Sequence, residues 1–396
     1  MALSLKNSGL LAKPAPLNLP YLSTPPLKKI YYDKSLSKSV IVQNVLRGIK
    51  NDESYQNTEF AELEDYKEFI KESQNSISAK YDKRTLLIYP EKGNYLHACP
   101  GSDGVVCCRY HVLDFGMNCP YDCQYCYLQT YAKIPFLTVA GNVDFLLADL
   151  KQKIAADPEI QWRIGSGEYA DSLALDKLTG MGKILIEFFS QIDNATLELK
   201  TKSVEIEHLL GLNHNGKTVI SWSLNPEYLV ENVELYCSSM KQRVAAAKKA
   251  IEAGFQVAFH FDPVIYFDNW ENEYSTLIEY LFSSIPETKI RWISLGTFRY
   301  SPGLKEQLRL RHPDEFITRA EMFLARDNKY RYLAPIRIKI YEFLLSEMQK
   351  YSPEMMVYLC METRSIWKRT FNEEIIGPAK LDARFEARRQ TLIKKG

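Results

Sequence analysis

Short apolar runs alternate with amphipathic stretches along the middle of the chain, and this alternation restricts the fold more than any other feature of the sequence. It predicts six strands, at residues 109–115, 161–165, 196–201, 219–224, 255–261 and 290–295. Helices are predicted between them, at residues 144–156, 173–191, 204–210, 239–253 and 273–284. Strands that alternate with helices form a parallel sheet with right-handed crossovers. We therefore expect an α/β fold, a partial (β/α)6 TIM-type barrel with its sites at the carboxyl ends of the strands.

The regions on either side of this barrel have different patterns. Residues 1–100 are predicted to be an N-terminal extension, with a partly flexible arm rich in Pro and Leu and a polar helical stretch at residues 37–75. Residues 101–300 contain the barrel. Residues 301–396 form a mainly helical C-terminal region, with helices predicted at 304–311, 313–324, 336–351 and from 379 onward, and a last strand at 355–360.

Basic residues interleaved with tyrosines in the C-terminal region suggest a contact surface for nucleic acid. They are Arg309, Arg311, Lys329, Arg331, Arg337, Lys339, Lys380, Arg388, Arg389 and Lys395. Each run is equally compatible with the solvated face of an amphipathic helix.

The overall charge and hydropathy pattern exclude some classes of protein. The 396 residues carry a formal net charge of +1, which gives no general attraction to a polyanion or a membrane surface. No stretch is long and apolar enough to span a bilayer, and residues 1–13 lack the apolar segment of a signal peptide. We expect a cytoplasmic protein with no membrane partner; the sequence leaves its oligomeric state open.

The chain has eight cysteines, and six of them lie between Cys99 and Cys126. Without a signal peptide, cysteines are expected to stay reduced, so this concentration indicates metal chemistry before it indicates disulfide bonds.

Three of these cysteines, Cys119, Cys123 and Cys126, are spaced by three and then two residues. Such a loop can hold a [4Fe–4S] cluster through three thiolates, and a cluster that normally takes four cysteines then keeps one iron open. Zinc and a ferredoxin-type electron carrier are the alternatives, because Cys99, Cys107 and Cys108 could complete a zinc site together with this loop.

The motif Cys-x-x-x-Cys-x-aromatic-Cys after a first strand resembles the radical S-adenosylmethionine superfamily. The resemblance implies that the open iron binds S-adenosylmethionine and that the reduced cluster cleaves it to a 5′-deoxyadenosyl radical. The segment Gly165-Ser-Gly-Glu168 follows the second predicted strand and resembles the motif whose acidic residue meets the methionine amino group. Taken alone, this segment would be interpreted as an ordinary glycine-rich turn with Glu168 capping a helix, and its position after the second strand favours the functional interpretation.

Longer stretches are similar to the spore photoproduct lyase family, over roughly residues 112–299. They are Cys123-Gln-Tyr-Cys126-Tyr-Leu-Gln129, His214-Asn-Gly-Lys217, Ser221-Trp-Ser-Leu-Asn225, residues 243–254 and Pro263-Val-Ile-Tyr266. The resemblance implies DNA as the substrate, repair of thymine-dimer-type lesions, and an electron donor of the flavodoxin or ferredoxin type.

The same resemblance implies roles for five further residues. Lys202, Ser223 and Asn225 would contact S-adenosylmethionine. Tyr125 and Tyr127 would line the cofactor pocket, with Tyr127 in a radical relay. The alternative for Lys202 is a solvated cation at a strand end, and for Ser223 and Asn225 it is turn capping.

The sequence departs from the family at the cysteine that donates hydrogen to the product radical, because Glu168 stands at that position. Modification of another substrate (an RNA base, a peptide or a small molecule) is therefore an alternative, and a non-catalytic zinc or iron–sulfur module is a third. Cys99, Cys107 and Cys108 are candidates for a second metal site, for a replacement hydrogen donor, or for simple packing.

Overall fold

The computed structural model describes residues 26–75, 82–93, 95–102, 104–373 and 378–395. The arm expected to be flexible, residues 1–25, lies outside these ranges. The strands in chain order are β1 (Lys29–Asp33), β2 (Glu59–Leu63), β3 (Asp82–Tyr89), β4 (Leu96–Ala98), β5 (His111–Leu113), β6 (Gly116–Met117), β7 (Asp122–Cys123), β8 (Phe136–Ala140), β9 (Trp162–Gly165), β10 (Ala195–Thr201), β11 (Thr218–Ser223), β12 (Glu234–Leu235), β13 (Gln256–Val264), β14 (Ile290–Thr297), β15 (Arg299–Tyr300), β16 (Met322–Leu324), β17 (Tyr330–Tyr332) and β18 (Val357–Leu359).

The α-helices are α1 (Val40–Asn51), α2 (Tyr66–Asn75), α3 (Leu128–Tyr131), α4 (Val143–Ala156), α5 (Asp176–Thr179), α6 (Met181–Phe189), α7 (Glu227–Val233), α8 (Met240–Glu252), α9 (Trp270–Ser284), α10 (Leu304–Arg311), α11 (Ala334–Gln349), α12 (Arg364–Phe371) and α13 (Pro378–Lys395). No helix of the described ranges is long and apolar enough to cross a membrane.

The central sheet has the strand order β4-β5-β9-β10-β11-β13-β14-β18. Its strands from β5 to β18 are parallel, and β4 joins antiparallel at the edge. The six predicted barrel strands are all present, and β18 extends them. Helices α6, α8, α11 and α13 pack against the sheet. The prediction of a partial TIM-type barrel is confirmed.

Backbone contacts connect the two edges of the curled sheet. The segment between β4 and β5 forms an isolated antiparallel bridge between Val105 and Thr363, just after β18. The amide of Val106 also donates to the carbonyl of Glu362 at 2.8 Å. These contacts tie the cysteine-rich segment before β5 to the opposite edge of the barrel.

The N-terminal region differs from its prediction. Residues 37–75, expected to be helical, contain α1, β2 and α2, and a second sheet has the order β2-β1-β3-β8-β6. β1 and β2 have five residues each, two of them charged, so neither gives the apolar run that signals a buried strand. Because β6 and β8 lie on either side of the predicted cysteine ligands, this sheet supports the loop between them.

Two further predictions of helices are corrected. Residues 173–191 form α5 and α6 instead of one helix, because Gly180 has a φ of +68° and Asp176 accepts from the Gly182 amide at 2.5 Å. Residues 204–210 form only a 3₁₀ turn, Glu207–Leu209.

The C-terminal region is helical but also contains a three-stranded sheet, β15-β17-β16. The helix expected at 313–324 is absent, because Pro313 follows α10 and the carboxylate of Glu315 captures the amide and hydroxyl of Thr318 in a turn. The tail does form α13. Its Arg388 is buried and donates to the carbonyls of Ile290 (2.8 Å) and Glu287 (2.6 Å) at the start of β14.

This anchoring of α13 predicts unequal effects for two adjacent arginines. Arg388→Ala is expected to lower the free energy of unfolding by about 2 to 3 kcal/mol, because buried carbonyls lose a charged donor. Arg389→Ala, which removes only a pair with Glu386 on the same helix, is expected to change it by less than about 0.5 kcal/mol. Urea unfolding of the two variants measures the difference. Equal destabilisation would contradict this account of the C-terminal helix.

Candidate active site

The three predicted cluster cysteines lie in one loop between β6 and α3, which we call the cysteine loop (residues 118–127). Cys123 is buried, and Cys119 and Cys126 are partly buried. The loop closes on itself where the amide of Cys126 donates to the carbonyl of Cys123 at 3.1 Å. Asn118 starts the loop in the left-handed region, with a φ of +70°, and its side-chain amide donates to the carbonyls of Ile134 and Phe136.

Charged side chains from outside the barrel hold the cysteine loop at Asp122. Arg311 of α10 lies 2.5 Å from the Asp122 carboxylate, and Lys83 of β3 lies 3.5 Å from it. Lys83 also donates to the carbonyl of Cys119 at 3.2 Å. Burial would raise the pKa of Asp122, but Lys83 and Arg311 lower it. Both flanking regions therefore contact the loop.

A small apolar cluster surrounds the sulfur atoms of this loop. Its buried members and the side chains packed on them are Tyr121, Cys123, Cys237, Cys119, Tyr125, Cys126, Ala174 and Tyr236. Across the described residues, no three Cys, His, Asp or Glu side chains surround a position for a single metal ion. The cysteine ligands of a [4Fe–4S] cluster each bind a different iron atom of the cube. They are therefore not arranged around a single central ion.

A buried ion pair that the sequence did not reveal supports the predicted cofactor residues. Glu234 of β12 and Arg243 of α8 are 2.6 Å apart, and both side chains are fully buried. The Glu234 carboxylate also accepts from Asn225 at 2.8 Å and from the hydroxyl of Tyr125. Arg243 donates to the carbonyl of Ser223 at 2.9 Å. The network thus brings three predicted cofactor residues together.

The strand pairing explains why Glu234 reaches the loop. β12 pairs antiparallel with β7, so that Glu234 lies opposite Cys123. Burial alone would raise the pKa of Glu234, but the charges of Arg243 and Lys202 lower it to about 2. The carboxylate is therefore ionised throughout the neutral range.

Lys202 lies at the end of β10, on the same side as this network. Its ammonium is 5.6 Å from the centre of the Tyr125 ring, and its amide donates to Asp171 at 2.7 Å. Burial would lower the pKa of Lys202, but Glu234 and the nearby thiols raise it. Lys202 is partly buried beside the acidic and thiol groups of this network, and its contact with S-adenosylmethionine stays a prediction.

Tyr127 and Glu168 also meet. The hydroxyl of Tyr127 donates to the carbonyl of Glu168 at 2.9 Å and is 3.5 Å from its carboxylate. A second small cluster, built on Val112, Leu128 and Tyr169, has Cys99, Tyr110, Cys126 and Tyr127 packed against it. The thiol of Cys99 therefore lies in the same apolar environment as a cluster cysteine and Tyr127.

The other two upstream cysteines have different surroundings. Cys107 is exposed, and its sulfur accepts from the amide of Arg109 at 3.3 Å. Cys108 is partly buried, and its carbonyl accepts from Arg163. The second metal site at Cys99, Cys107 and Cys108 stays a prediction.

Three hydrogen-bonded polar residues, Glu198, His260 and Ser294, lie inside the barrel and were not predicted from the sequence; we call them the polar line. His260 of β13 bonds to Glu198 at 2.7 Å and to Ser294 at 2.6 Å, and all three are buried. Burial would raise the pKa of Glu198, but His260 lowers it to about 2. Nearer the strand ends, Arg299 contacts Asp262 through two hydrogen bonds of 3.1 and 3.2 Å.

The basic residues proposed for nucleic-acid contact mostly have acidic partners. The pairs are Arg309–Glu315, Arg311–Asp122, Arg331–Asp327, Arg337–Glu362, Lys339–Glu271, Lys380–Glu373, Arg388–Glu287 and Arg389–Glu386. Lys329 contacts Ser102 at 3.3 Å. These partners reduce the charge that the region could offer to a phosphate backbone. The side chain of Lys395 lies outside the described residues.

Comparison with known families decides which group of proteins has this architecture. The family model described as "Spore photoproduct lyase" matches residues 103–351, which is more than half of the chain. The chain belongs to the spore photoproduct lyase family. The resemblance inferred from the cysteine loop and the barrel segments is confirmed.

Relatives in the spore photoproduct lyase family match over part of the chain. The spore photoproduct lyase of Bacillus subtilis is 34% identical over 180 residues, 45% of this chain and 52% of that protein. That of a Geobacillus strain is 30% identical over 207 residues, 51% of this chain and 60% of that protein. The chain therefore spans about half to three fifths of the length of these relatives.

Solved structures of spore photoproduct lyase share the fold. A complex with dinucleoside spore photoproduct has a TM-score of 0.73 and 21% identity, covering 85% of this chain and 100% of that chain. A mutant with bound AdoMet and dinucleoside spore photoproduct has a TM-score of 0.72, with the same identity and coverage. At this identity the structures establish the family fold, including part of the N-terminal region.

The Glu234–Arg243 pair gives a prediction for stability and pH. Glu234→Gln is expected to lower the free energy of unfolding at pH 7 by about 3 kcal/mol or more, because Arg243 stays buried without its counter-charge. The lowered pKa means that Glu234 stabilises the fold above the ordinary glutamate pKa of about 4.3 and loses this effect as pH falls toward 2. Stability of the variant should therefore depend less on pH in this window.

Urea unfolding between pH 7 and the acid limit of the folded state measures both effects. The matched control is Glu231→Gln, on the exposed side of α7. If Glu231→Gln and Glu234→Gln had the same stability at pH 7, the ion pair would not have the role assigned to it.

Proposed function

We propose that this protein is a radical S-adenosylmethionine enzyme that acts on thymine-dimer-type lesions in DNA. The observation that carries the proposal is the cysteine loop, with three thiols in one apolar pocket beside partly buried Lys202 and the Glu234–Arg243 network. The family and its named relatives give the lesion as substrate class. Because the matched relatives are only partly covered, the activity is our inference for this chain.

The residues present fit a [4Fe–4S] cluster. Cys119, Cys123 and Cys126 offer three soft sulfur ligands from one loop, and Tyr121 and Tyr125 pack around them. Held by these three cysteines and reduced, such a cluster would supply the electron for the cleavage of S-adenosylmethionine to a 5′-deoxyadenosyl radical. The protein contributes a pocket with little water, which protects such chemistry from side reactions. An electron donor of the flavodoxin or ferredoxin type would reduce the cluster.

The surrounding residues suit the polar groups of S-adenosylmethionine. The partly buried Lys202 ammonium is the cation for its carboxylate, and the Glu168 carboxylate is the anion for its amino group. Tyr125, Ser223 and Asn225 are fixed by the Glu234–Arg243 pair and shape the adjacent wall. Fixed partners position a ligand more effectively than mobile ones, because less conformational entropy is lost on binding.

The hydrogen donor needs a separate proposal, because Glu168 cannot act as a thiol does. Cys99 supplies the thiol in our proposal, since it packs in one apolar cluster with Tyr127 and Cys126. Tyr127, hydrogen-bonded to Glu168, is the relay residue next to it. This arrangement supports lesion repair despite the departure from the family pattern.

The competing function is radical modification of another substrate, such as an RNA base, a peptide or a small molecule. It is favoured by the acidic partners of the C-terminal basic residues, which weaken the argument for a DNA-backbone surface. A third hypothesis is a non-catalytic zinc or iron–sulfur module. Analysis of the bound metal distinguishes it from the two radical enzymes.

The ligand assignment predicts the iron content of two variants. Replacing Cys119, Cys123 and Cys126 together by Ala is expected to abolish iron and sulfide loading on anaerobic reconstitution. Cys360→Ala, which removes a thiol at the end of β18, should load like the parent protein. Iron and sulfide analysis measures the result. Undiminished loading in the triple variant, or zinc in place of iron in the parent, would refute the cluster assignment.

The function is tested with reduced, cluster-loaded protein, S-adenosylmethionine and dinucleoside spore photoproduct under anaerobic conditions. We expect 5′-deoxyadenosine and loss of the lesion. Cys99→Ala should still form 5′-deoxyadenosine but repair the lesion at least about tenfold less, corresponding to about 1.4 kcal/mol in the barrier. Cys107→Ala removes an exposed thiol from the same segment and should repair normally. If the parent protein formed 5′-deoxyadenosine without repairing the lesion, the substrate would be a different molecule and the competing function would be favoured.

A further inference from the structure

Cys237 lies beside the cysteine loop although 111 residues separate it from Cys126 in the printed sequence. After β12 has paired with β7, Tyr236 adopts the left-handed region with a φ of +66°, and this turns the chain back toward the loop. The amide of Cys237 donates to the carbonyl of Glu234 at 3.2 Å and fixes the turn. The Cys237 side chain is consequently buried, with 5% of its surface exposed.

The sulfur of Cys237 is 3.6 Å from the sulfur of Cys123, a hydrogen-bonding contact between two thiol groups. Thiols are weak donors and weak acceptors, so either sulfur can donate while both are protonated. A cysteine that binds iron does so as the thiolate and can only accept. With a cluster on Cys123, the donor in this contact must therefore be Cys237.

The geometry also argues against Cys237 as a fourth ligand. Cysteine ligands of a cubane cluster bind separate irons and carry like charges, so their sulfurs are held apart. Cys123 and Cys237 are instead in contact, and they share their pocket with the carboxylate of Glu234. A protonated thiol adds no third negative charge to this buried place, whereas a second thiolate would.

We infer that the thiol of Cys237 donates a hydrogen bond to the iron-bound sulfur of Cys123 and thereby raises the reduction potential of the cluster. The reduced cluster carries one more negative charge than the oxidised cluster, so a donor to a ligand sulfur stabilises the reduced form more. Hydrogen bonds to sulfur are among the features that set iron–sulfur potentials. The inference rests on the proposed cluster and assigns Cys237 as a positioning residue that acts through Cys123.

Two substitutions at Cys237 separate the hydrogen bond from simple packing. Cys237→Ser keeps a small side chain with a hydroxyl donor, and Cys237→Ala removes the donor. Cys360→Ala is the control for loss of a thiol elsewhere in the barrel. Each protein is reconstituted anaerobically as the full chain, and the cluster potential is measured by an EPR-monitored redox titration without S-adenosylmethionine.

We expect all four proteins to load equal iron and sulfide. The potential should fall in Cys237→Ala and return toward the parent value in Cys237→Ser, with Cys360→Ala unchanged. Proton ENDOR of the reduced cluster should show a coupling that is lost in D₂O. That coupling should be present in the parent and Cys237→Ser and absent in Cys237→Ala.

Two results would overturn the inference while leaving the proposed function intact. One is a potential in Cys237→Ala equal to that of the parent, with the same exchangeable proton. The other is reduced iron and sulfide loading in Cys237→Ala, which would make Cys237 a ligand. Failure of the parent protein to form any cluster would instead refute the proposed function, and this inference with it.

Discussion

The candidate site depends on one buried ion pair, Glu234 with Arg243. It joins the end of β11, the start of α8 and the cysteine loop, because the carbonyl of Ser223 and the hydroxyl of Tyr125 are bonded to its two members. A buried pair recovers its desolvation cost only when its remaining donors and acceptors are satisfied, as they are here. Its main effect is therefore specificity: alternative positions of the loop would leave two charges without partners in an apolar interior.

The barrel interior follows the same rule at a second place. Barrels of this type are usually filled by branched apolar side chains, yet here His260 stands between Glu198 and Ser294. Both ring nitrogens of His260 have partners, so the polar line is compatible with a packed core. The line joins the inward faces of β10, β13 and β14, with β11 between the first two, and forms a fixed polar layer below the strand ends near Lys202 and Arg299.

The sequence predicted the barrel well for a physical reason. Parallel strands buried on both faces are continuous apolar runs, and β11 and β14 are buried at every residue. The cysteine loop was equally visible, because its three cysteines are close together in the sequence. The contacts of Glu234 and Cys237 with the cysteine loop were missed because the partners are distant: Tyr125 is 109 residues from Glu234, and Cys123 is 114 residues from Cys237. No local spacing encodes such contacts.

The contacts of the C-terminal region change the interpretation of its basic residues. Its arginines suggested a surface for phosphates, but Arg311 holds Asp122 in the cysteine loop and Arg388 fastens α13 to β14. An arginine engaged by a carboxylate gives little net attraction to a phosphate unless the pair breaks. The main role of these two arginines is therefore structural: they hold the cysteine loop and β14 in place. Because Arg311 contacts Asp122, between Cys119 and Cys123, any movement of α10 would displace the cysteine loop directly.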